Sequence, residues 1–490
     1  MTMRETGTPF GSALEALALA EPDRPAVTCE DRTVSRAELL AGVRAVAAEF
    51  SARGVRRGDV VSIGLPNCIE LVQALFATWW IGATPAPFSH RLPAAERRQI
   101  LELAAPALVV GEAGAEGTDL TVEQMSAADR ADRADREPGP ALVSPVWKII
   151  TSGGSTGRPK LIVSSKAAVA EDASTAAKLM GLPYGGCVLM PAPLSHSAPF
   201  SITVNSLLRG SHVVLMTRFD PDGVLELIER HRIGWCYLVP TMMQRILRLP
   251  DAERLGRDVG SVEIVFHMAA PCPAWLKRAW IDWLGADRIW EMYGGSEGQA
   301  MCVIRGDEWL EHPGSVGRPA VGEIEVRDES GDPLEPGLVG ELWLRRGAGA
   351  PSPYRYIGAE ARASADGWES LGDMGRVDSD GYVYITDRRT DMFVVGGANV
   401  YPAEIEAVLD EHPAVRSSCV IGLPHEDLGS VPHALIQLAM PVEDAELFAH
   451  VRDRLAPYKV PRSLERTEAP LRDDAGKVRR SALRAERLGA

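Results

Sequence analysis

Short apolar runs alternating with amphipathic helical patterns constrain the first half of this chain more than any other feature. Leu39, Val43, Val46 and Phe50 recur at helical spacing, and Val60-Val61-Ser62-Ile63 follows as a buried strand. Further apolar runs at Ala107–Val110, Cys187–Met190, Val213–Met216, Trp235–Val239 and Glu263–Met268 read as strands, with helical patterns at Asp222–His231 and Ala274–Trp283 between them. Such alternation predicts α/β layers with mostly parallel strands. From about Gly322 the texture changes to short strands, Glu323–Arg327, Glu341–Arg345 and Tyr382–Ile385, separated by Gly, Pro and Asp turns. That predicts a β-rich subdomain. After the charged stretch Thr386-Asp387-Arg388-Arg389-Thr390-Asp391, a helix over Ala403–Leu409 presents Ile405, Val408 and Leu409 on one face. The fold expected is therefore α/β: a large multi-subdomain part over 1–386 with its β-rich subdomain, a boundary in the charged stretch at 387–391, and a small α+β domain over 392–490.

Composition excludes several classes. With 46% hydrophobic and 24% charged residues, the 490-residue chain reads as soluble and globular. A formal charge of −15 opposes nucleic-acid binding, although a few local cations suffice to hold a phosphate. Seven scattered cysteines with no C-x-x-C pairing suggest neither a disulfide framework nor a zinc site, and point to the reducing cytoplasm. The uncharged run Leu71–His90 is broken by Gly82, Pro85 and Pro87, leaving too short a helix for a bilayer of roughly 30 Å. It reads as a buried core helix, and no membrane span is expected. Residues Gly111–Pro140 have almost no apolar periodicity and read as a surface excursion or a partly disordered loop. Only seven of the 52 cationic residues are lysine, so a lysine in an unusual local sequence carries weight.

The segment Ile150-Thr151-Ser152-Gly153-Gly154-Ser155-Thr156-Gly157-Arg158-Pro159-Lys160 is the strongest chemical signal. Glycines let backbone amides turn towards an anion, the hydroxyls add donors, and the lysine adds a mobile charge. A Walker-type loop is excluded, because Arg158-Pro159 separate Gly157 from Lys160. The segment resembles the phosphate-binding loop of the adenylate-forming superfamily, in its acyl-CoA synthetase (AMP-binding enzyme) branch. Other segments resemble that family in the same order. They are Pro22-Asp23-Arg24-Pro25-Ala26-Val27, Gly58-Asp59-Val60-Val61, Leu65-Pro66-Asn67 with Gly82-Ala83, Pro193-Leu194-Ser195-His196, Ala269-Ala270-Pro271, Tyr293-Gly294-Gly295-Ser296-Glu297, Gly340-Glu341-Leu342 and Leu371-Gly372-Asp373. In the C-terminal part, Met392–Gly397 leading to Asn399-Val400-Tyr401-Pro402 and Ala475-Gly476-Lys477-Val478 continue the likeness.

The resemblance implies an acid–thiol ligase that uses ATP, Mg²⁺ and CoA to convert a carboxylic acid to its thioester through an acyl-adenylate. It implies that Lys477, Glu297, Ser296 and Lys160 carry the chemistry, with Glu297 on the metal. The nucleotide would lie along Thr151, Ser152, Gly153, Gly154, Ser155, Thr156, Gly157, Lys160, Ala269, Ala270, Pro271, Glu291, Met292, Tyr293, Gly294, Gly295, Ser296, Asp373, Ile385 and Arg388. Asp373, an acceptor when ionised, suits the two ribose hydroxyls. The acyl group would meet His196, Phe200, Val239, Pro240, Ala269, Gly294 and Gly295. His196 reads equally as a structural hydrogen-bonder, and Val239–Met243 equally as core packing. Val395, Gly396 and Gly397 would approach CoA once the small domain swings about a hinge at Thr390.

Two positions depart from the family pattern. Thr390 stands where Asp or Lys is usual, and Leu161 where Gly is usual. They leave open a ligase limited to thioester formation from acyl-AMP. The segment Ser195–Val204 contains no acid to pair with a substrate ammonium, which argues against an amino acid. A hydrophobic aryl, alicyclic or polycyclic acid is expected instead. Free CoA is the expected acceptor, because no fused carrier domain follows Ala490. A stand-alone enzyme that loads a carrier protein is the alternative, and a homodimer is compatible with either.

Overall fold

The computed structural model describes residues 7–125, 138–153, 159–473 and 476–489. Its backbone is organised around a nine-stranded sheet in the order Arg318–Val321, Met301–Arg305, Ile289–Gly294, Ile264–His267, Trp235–Leu238, Cys187–Met190, His212–Leu215, Pro25–Cys29, Arg32–Ser35. The six inner strands from Ile289–Gly294 to Pro25–Cys29 pair in parallel, and antiparallel strands close both edges. Helices cover its faces, as the apolar runs require: Trp235, Cys236, Tyr237 and Leu238 are all at most 1% exposed.

A second, parallel sheet orders Thr84–Pro87, Val60–Gly64, Leu108–Gly111 and Leu120–Thr121. The Ile69–Trp80 helix lies in the core with eleven buried residues. Trp79 anchors it, taking Phe10, Phe76 and Phe200 edge-on at 5.0, 5.3 and 5.8 Å while its indole N–H donates to the Trp147 carbonyl at 2.8 Å. Filling the indole's hydrogen bond lets so large a ring be buried. Beyond this helix, Pro85 and Pro87 do more than break it. They occupy an edge strand, the one position in a sheet where the missing N–H is tolerated.

The sequence-predicted excursion over Gly111–Pro140 is corrected in part. Leu120–Thr121 pairs into the second sheet, and Leu120 and Met125 are buried at 0% and 1%. A two-residue strand leaves no periodicity to read. Residues 126–137 of that excursion lie outside the described residues.

The β-rich region forms an antiparallel sheet in which Glu369–Val377 pairs with Gly340–Arg345, Arg362–Ala363 and Val383–Arg388. This last strand runs through Asp387 and Arg388, opposite Met374 and Asp373, so the charged stretch begins inside the sheet. From Phe393 the chain builds a separate sheet of Ala398–Val400, Phe393–Val395, Gly429–Leu438, Val415–His425 and Ser463–Arg466. The Pro402–Glu411 helix packs on it with Ile405 and Leu409 buried.

One buried amide ties these layers to the site. Asn67, 4% exposed, donates to the carbonyls of Ala192 and Met216 at 2.9 and 3.0 Å and accepts from the Leu194 N–H at 2.9 Å. It thereby fixes the segment that carries His196 against the ends of two central strands. Gly375 is equally constrained: a Cβ there would lie 2.3 Å from the Tyr384 carbonyl oxygen across the strand pair. Gly375→Ala is expected to wedge that pair apart and to cost about 1–3 kcal/mol in denaturant unfolding. An unchanged midpoint would show that the strands separate freely.

Candidate active site

The strands Ile149–Gly153 and Pro159–Ser164 pair antiparallel, with Thr151, Ser152 and Gly153 opposite Leu161, Lys160 and Pro159. They form the two arms of the glycine-rich segment. Its tip, including Gly154, Ser155, Thr156 and Gly157, lies outside the described residues. A third strand, Tyr354–Ile357, pairs with the second arm and sets Tyr356 opposite Ile162. Tyr356 then meets both charged groups of the site. Its hydroxyl donates to Glu297 Oε1 at 2.5 Å, and Lys160 Nζ lies 3.8 Å above its ring. Lys160 Nζ is also 3.8 Å from Glu297 Oε1. Burial lowers the Lys160 pKa, against the opposing pull of the Glu297 carboxylate.

Glu297 follows the Ile289–Gly294 strand, where Gly294 and Gly295 let the backbone come close. A Cβ on Gly295 would lie 2.4 Å from Leu371 Cδ1. Tyr293, from the same strand, donates its hydroxyl to Asp373 Oδ2 at 2.7 Å, and Arg388 Nε holds Asp373 Oδ1 at 2.7 Å. Asp373 is only 5% exposed, yet each oxygen keeps a further lone pair for an incoming hydroxyl. Burial and the adjacent carboxylate raise the Tyr293 phenol well above its ordinary value, so it stays a donor. Ala269 takes a left-handed conformation, φ 79°, costly for a residue with a Cβ and of a kind that concentrates at functional sites. Glu291, on the Ile289–Gly294 strand, is buried against Lys277 at 2.6 Å.

These groups line one cleft of about 2580 Å³, together with Ala270, Pro271, Met292, Ser296, Ile385 and Thr390. His196, Val239 and Pro240 line it too; His196 stands at the amino end of the Ser197–Leu208 helix. Phe200 is corrected. It is 0% exposed and packs on Trp79 and Trp147, one side of the helix belonging to the core, while Ala198 and Ser201 face the cleft.

The small lobe contributes Lys477 to this cleft. A tight turn holds it: the Lys477 N–H donates to Asp473 Oδ1 at 2.9 Å, and Gly476 takes φ 77°. Gly476 presses on the large lobe, where a Cβ would lie 3.1 Å from Thr241 Oγ1. The Lys477 side chain remains solvent-accessible inside a walled cleft, and desolvation by those walls lowers its pKa while Asp473 opposes. Further bonds join the lobes. Gln244 and Arg248 both donate to the Asp410 carbonyl at 3.0 Å, and Arg479 pairs with Glu96 at 3.1 Å. Val395, Gly396 and Gly397 are not in this cleft. Val395 is 4% exposed in the small lobe's own core, which corrects it as a ligand contact, and the two glycines turn between Phe393–Val395 and Ala398–Val400.

Two residues escaped the sequence reading. Tyr356 belongs to no motif and reaches Glu297 only through strand pairing. Lys148 stands just before the glycine-rich segment, and its signal was a lysine amid apolar residues in a lysine-poor chain. Among the described residues no group of three His, Cys, Asp or Glu side chains is placed to hold a metal. A single carboxylate, that of Glu297, facing the open cleft nevertheless fits Mg²⁺, which takes one or two carboxylates and fills its remaining positions with phosphate oxygens and water. No helix among the described residues is long and apolar enough to cross a membrane.

With this geometry in view, the chain belongs to a known enzyme family. Residues 14–352 match the AMP-binding enzyme family and residues 404–477 the AMP-binding enzyme C-terminal domain. A feruloyl-CoA synthase from Amycolatopsis sp is 32% identical over 500 residues, covering 98% of this chain and 99% of that one. The solved o-succinylbenzoate CoA synthetase from Bacillus subtilis, in complex with its acyl-adenylate intermediate, is 28% identical with a TM-score of 0.84, covering 98% of both chains. An amide bond synthetase from Marinactinospora thermotolerans is 26% identical with a TM-score of 0.79, covering 98% of this chain and 99% of that one. With a lone pair left on each oxygen, the buried Asp373 carboxylate has the acceptor capacity that a pair of ribose hydroxyls needs. Asp373→Asn is expected to weaken AMP binding about tenfold or more in calorimetry, the loss of hydrogen bonds to a charged group. Unchanged affinity would move the ribose elsewhere.

Proposed function

We propose that this protein is an ATP-dependent ligase that joins an aromatic, alicyclic or polycyclic carboxylic acid to CoA through an acyl-adenylate. The observation that carries this reading is the entry of Lys477 into the cleft that holds Glu297, Lys160 and Asp373. A ligand spanning these groups has its ribose at Asp373 and its phosphates between the two lysines, with its carboxylic acid towards His196. The acyl-adenylate held by the solved relative from Bacillus subtilis supports adenylation as the first step.

In that step a carboxylate oxygen attacks the α-phosphorus of ATP, and pyrophosphate leaves. Charge builds on the phosphates, and Lys160 and Lys477, which line the same cleft, neutralise it. Mg²⁺, held by Glu297, supplies further positive charge to the phosphate oxygens. Ser296, exposed to the cleft, donates to the α-phosphate or the acid. In the second step the CoA sulfur attacks the acyl carbon, and AMP departs with the carboxylate oxygen. For this the small domain, 392–490, turns on the 387–391 hinge about Thr390 relative to 1–386. It withdraws Lys477 and brings Gly396-Gly397 to the pantetheine arm. All seven cysteines are free thiols, which suits the reducing cytoplasm where ATP and CoA are drawn.

The test is thioester formation from a panel of acids with MgATP and CoA, beside CoA plus synthetic acyl-AMP. Lys477→Ala is expected to abolish product from free acid while sparing product from acyl-AMP. Because desolvation lowers the Lys477 pKa, its charge is lost at a lower pH than for an ordinary lysine. Adenylation is therefore expected to decline on the alkaline side, and Lys477→Arg should move that decline to higher pH. Equal loss from both substrates in Lys477→Ala would contradict the role given to this residue.

A further inference from the structure

Lys148 is not used by the chemistry above, yet its surroundings are those of a binding group. It is 8% exposed and lines the cleft at the end that carries His196, Ala198 and Ser201. Its ammonium donates to Ser197 Oγ at 2.7 Å and Ser201 Oγ at 2.9 Å, and sits 4.6 Å from the Trp147 ring. Both hydrogen-bond acceptors are neutral, and among the described residues no carboxylate forms an ion pair with it. Burial pushes its pKa down to about 7; the Glu297 carboxylate opposes this and the Lys166 ammonium adds to it. The nearer cationic partner of Glu297 is Lys160, and Tyr356 donates to the same oxygen.

Two features make the lack of a counter-charge more acute. Ser197 is the first residue of a twelve-residue helix whose preceding residue, His196, makes no side-chain cap. The positive end of that helix dipole therefore points to the same place as the ammonium. The segment Ser195–Val204 that forms this wall also contains no acid. Buried charges are ordinarily paired, and here two sources of positive potential converge on the acyl end of the cleft without a protein anion between them. The arrangement is the charge inverse of a pocket that places an aspartate to receive a substrate ammonium.

We propose that Lys148 and the amino end of the Ser197–Leu208 helix form a subsite for a second carboxylate, so that the preferred substrates are dicarboxylic acids of which one carboxylate is activated. The inference rests on the ligase reading for the place of the acyl group. It narrows that reading from an apolar acid to one with an apolar body and a charged far end. Trp147 and Ala198 flank the body, and Lys148 reads the distal group. Specificity of this kind is strong, because a substrate lacking the distal anion leaves a buried ammonium uncompensated.

The test uses benzoyl-sulfamoyladenosines, stable mimics of the adenylate, with a carboxylate or its methyl ester at the ortho, meta or para position through zero to two methylenes. Binding to the full-length protein is measured by calorimetry. In the wild type at least one carboxylate isomer is expected to bind about tenfold or more tighter than its own methyl ester. Lys148→Met should reduce that ratio to about one, and Lys148→Arg should retain a preference for the carboxylate. A wild-type measurement covers the case of a misfolded variant: analogues with an aminomethyl group in the same position should bind more weakly than the esters. A ratio of one for every isomer in the wild type, or a ratio unchanged in a folded Lys148→Met, overturns the proposal. Pyrophosphate exchange with simple benzoates reports on the ligase reading separately, because the binding ratio does not depend on turnover.

Discussion

The carboxylate of Asp373 joins parts of the chain that otherwise have no reason to meet. Tyr293 grips it from the end of the central parallel sheet, Arg388 from the strand that leads into the small lobe, and its own backbone belongs to the β-rich sheet. Three layers of secondary structure are thus referred to one buried charge. Removing an acid from water is costly, and two donors with a cation among them offset that cost while leaving lone pairs for a ligand. The chain leaves the β-rich sheet for the small lobe at Arg388, the residue that completes the pair.

The rest of the cleft is an electrostatic arrangement set against the charge of the whole molecule. The chain carries a formal −15, but Lys148, Lys160 and Lys477 all feel the field of Glu297. Three of only seven lysines are therefore spent around one carboxylate. Burial disfavours the charge on each of them, so each gains when an anion arrives, and a low-dielectric cleft makes that gain larger than it would be in water. The proposed adenylation step uses two of these ammonium groups, those of Lys160 and Lys477. The third, Lys148, has no part in that step and lines the end of the cleft that carries His196, which is why it reads as a specificity element.

Much of this was legible in the amino-acid sequence, for reasons that can be named. Apolar runs of four to six residues mark buried parallel strands, and the read boundaries at Cys187–Met190 coincide with the strand formed; so do those at Glu323–Arg327, an antiparallel strand set off by its flanking turns. Ordered motifs placed Lys160, Glu297, Asp373 and Lys477 because each sits in a distinctive local sequence. What escaped depends on contacts across elements. Tyr356 is an ordinary tyrosine until strand pairing sets it beside Glu297. Phe200 occupies a helix next to the acyl end, and its side chain was assigned to the wrong face because a helix with apolar and small residues on both sides has no clear direction. Val395 alternates inward from a short strand, a polarity that cannot be read before the pairing partner is known. The Leu120–Thr121 strand is simply too short to carry a period.

The central claim is that the acid becomes an acyl-adenylate before it meets the thiol. It is tested most directly by following oxygen. Turnover of a substrate labelled with ¹⁸O in both oxygens of the activated carboxylate should yield AMP carrying one ¹⁸O atom, because the oxygen that attacks the α-phosphorus leaves with it. AMP free of label, with ¹⁸O in another product, would contradict the account.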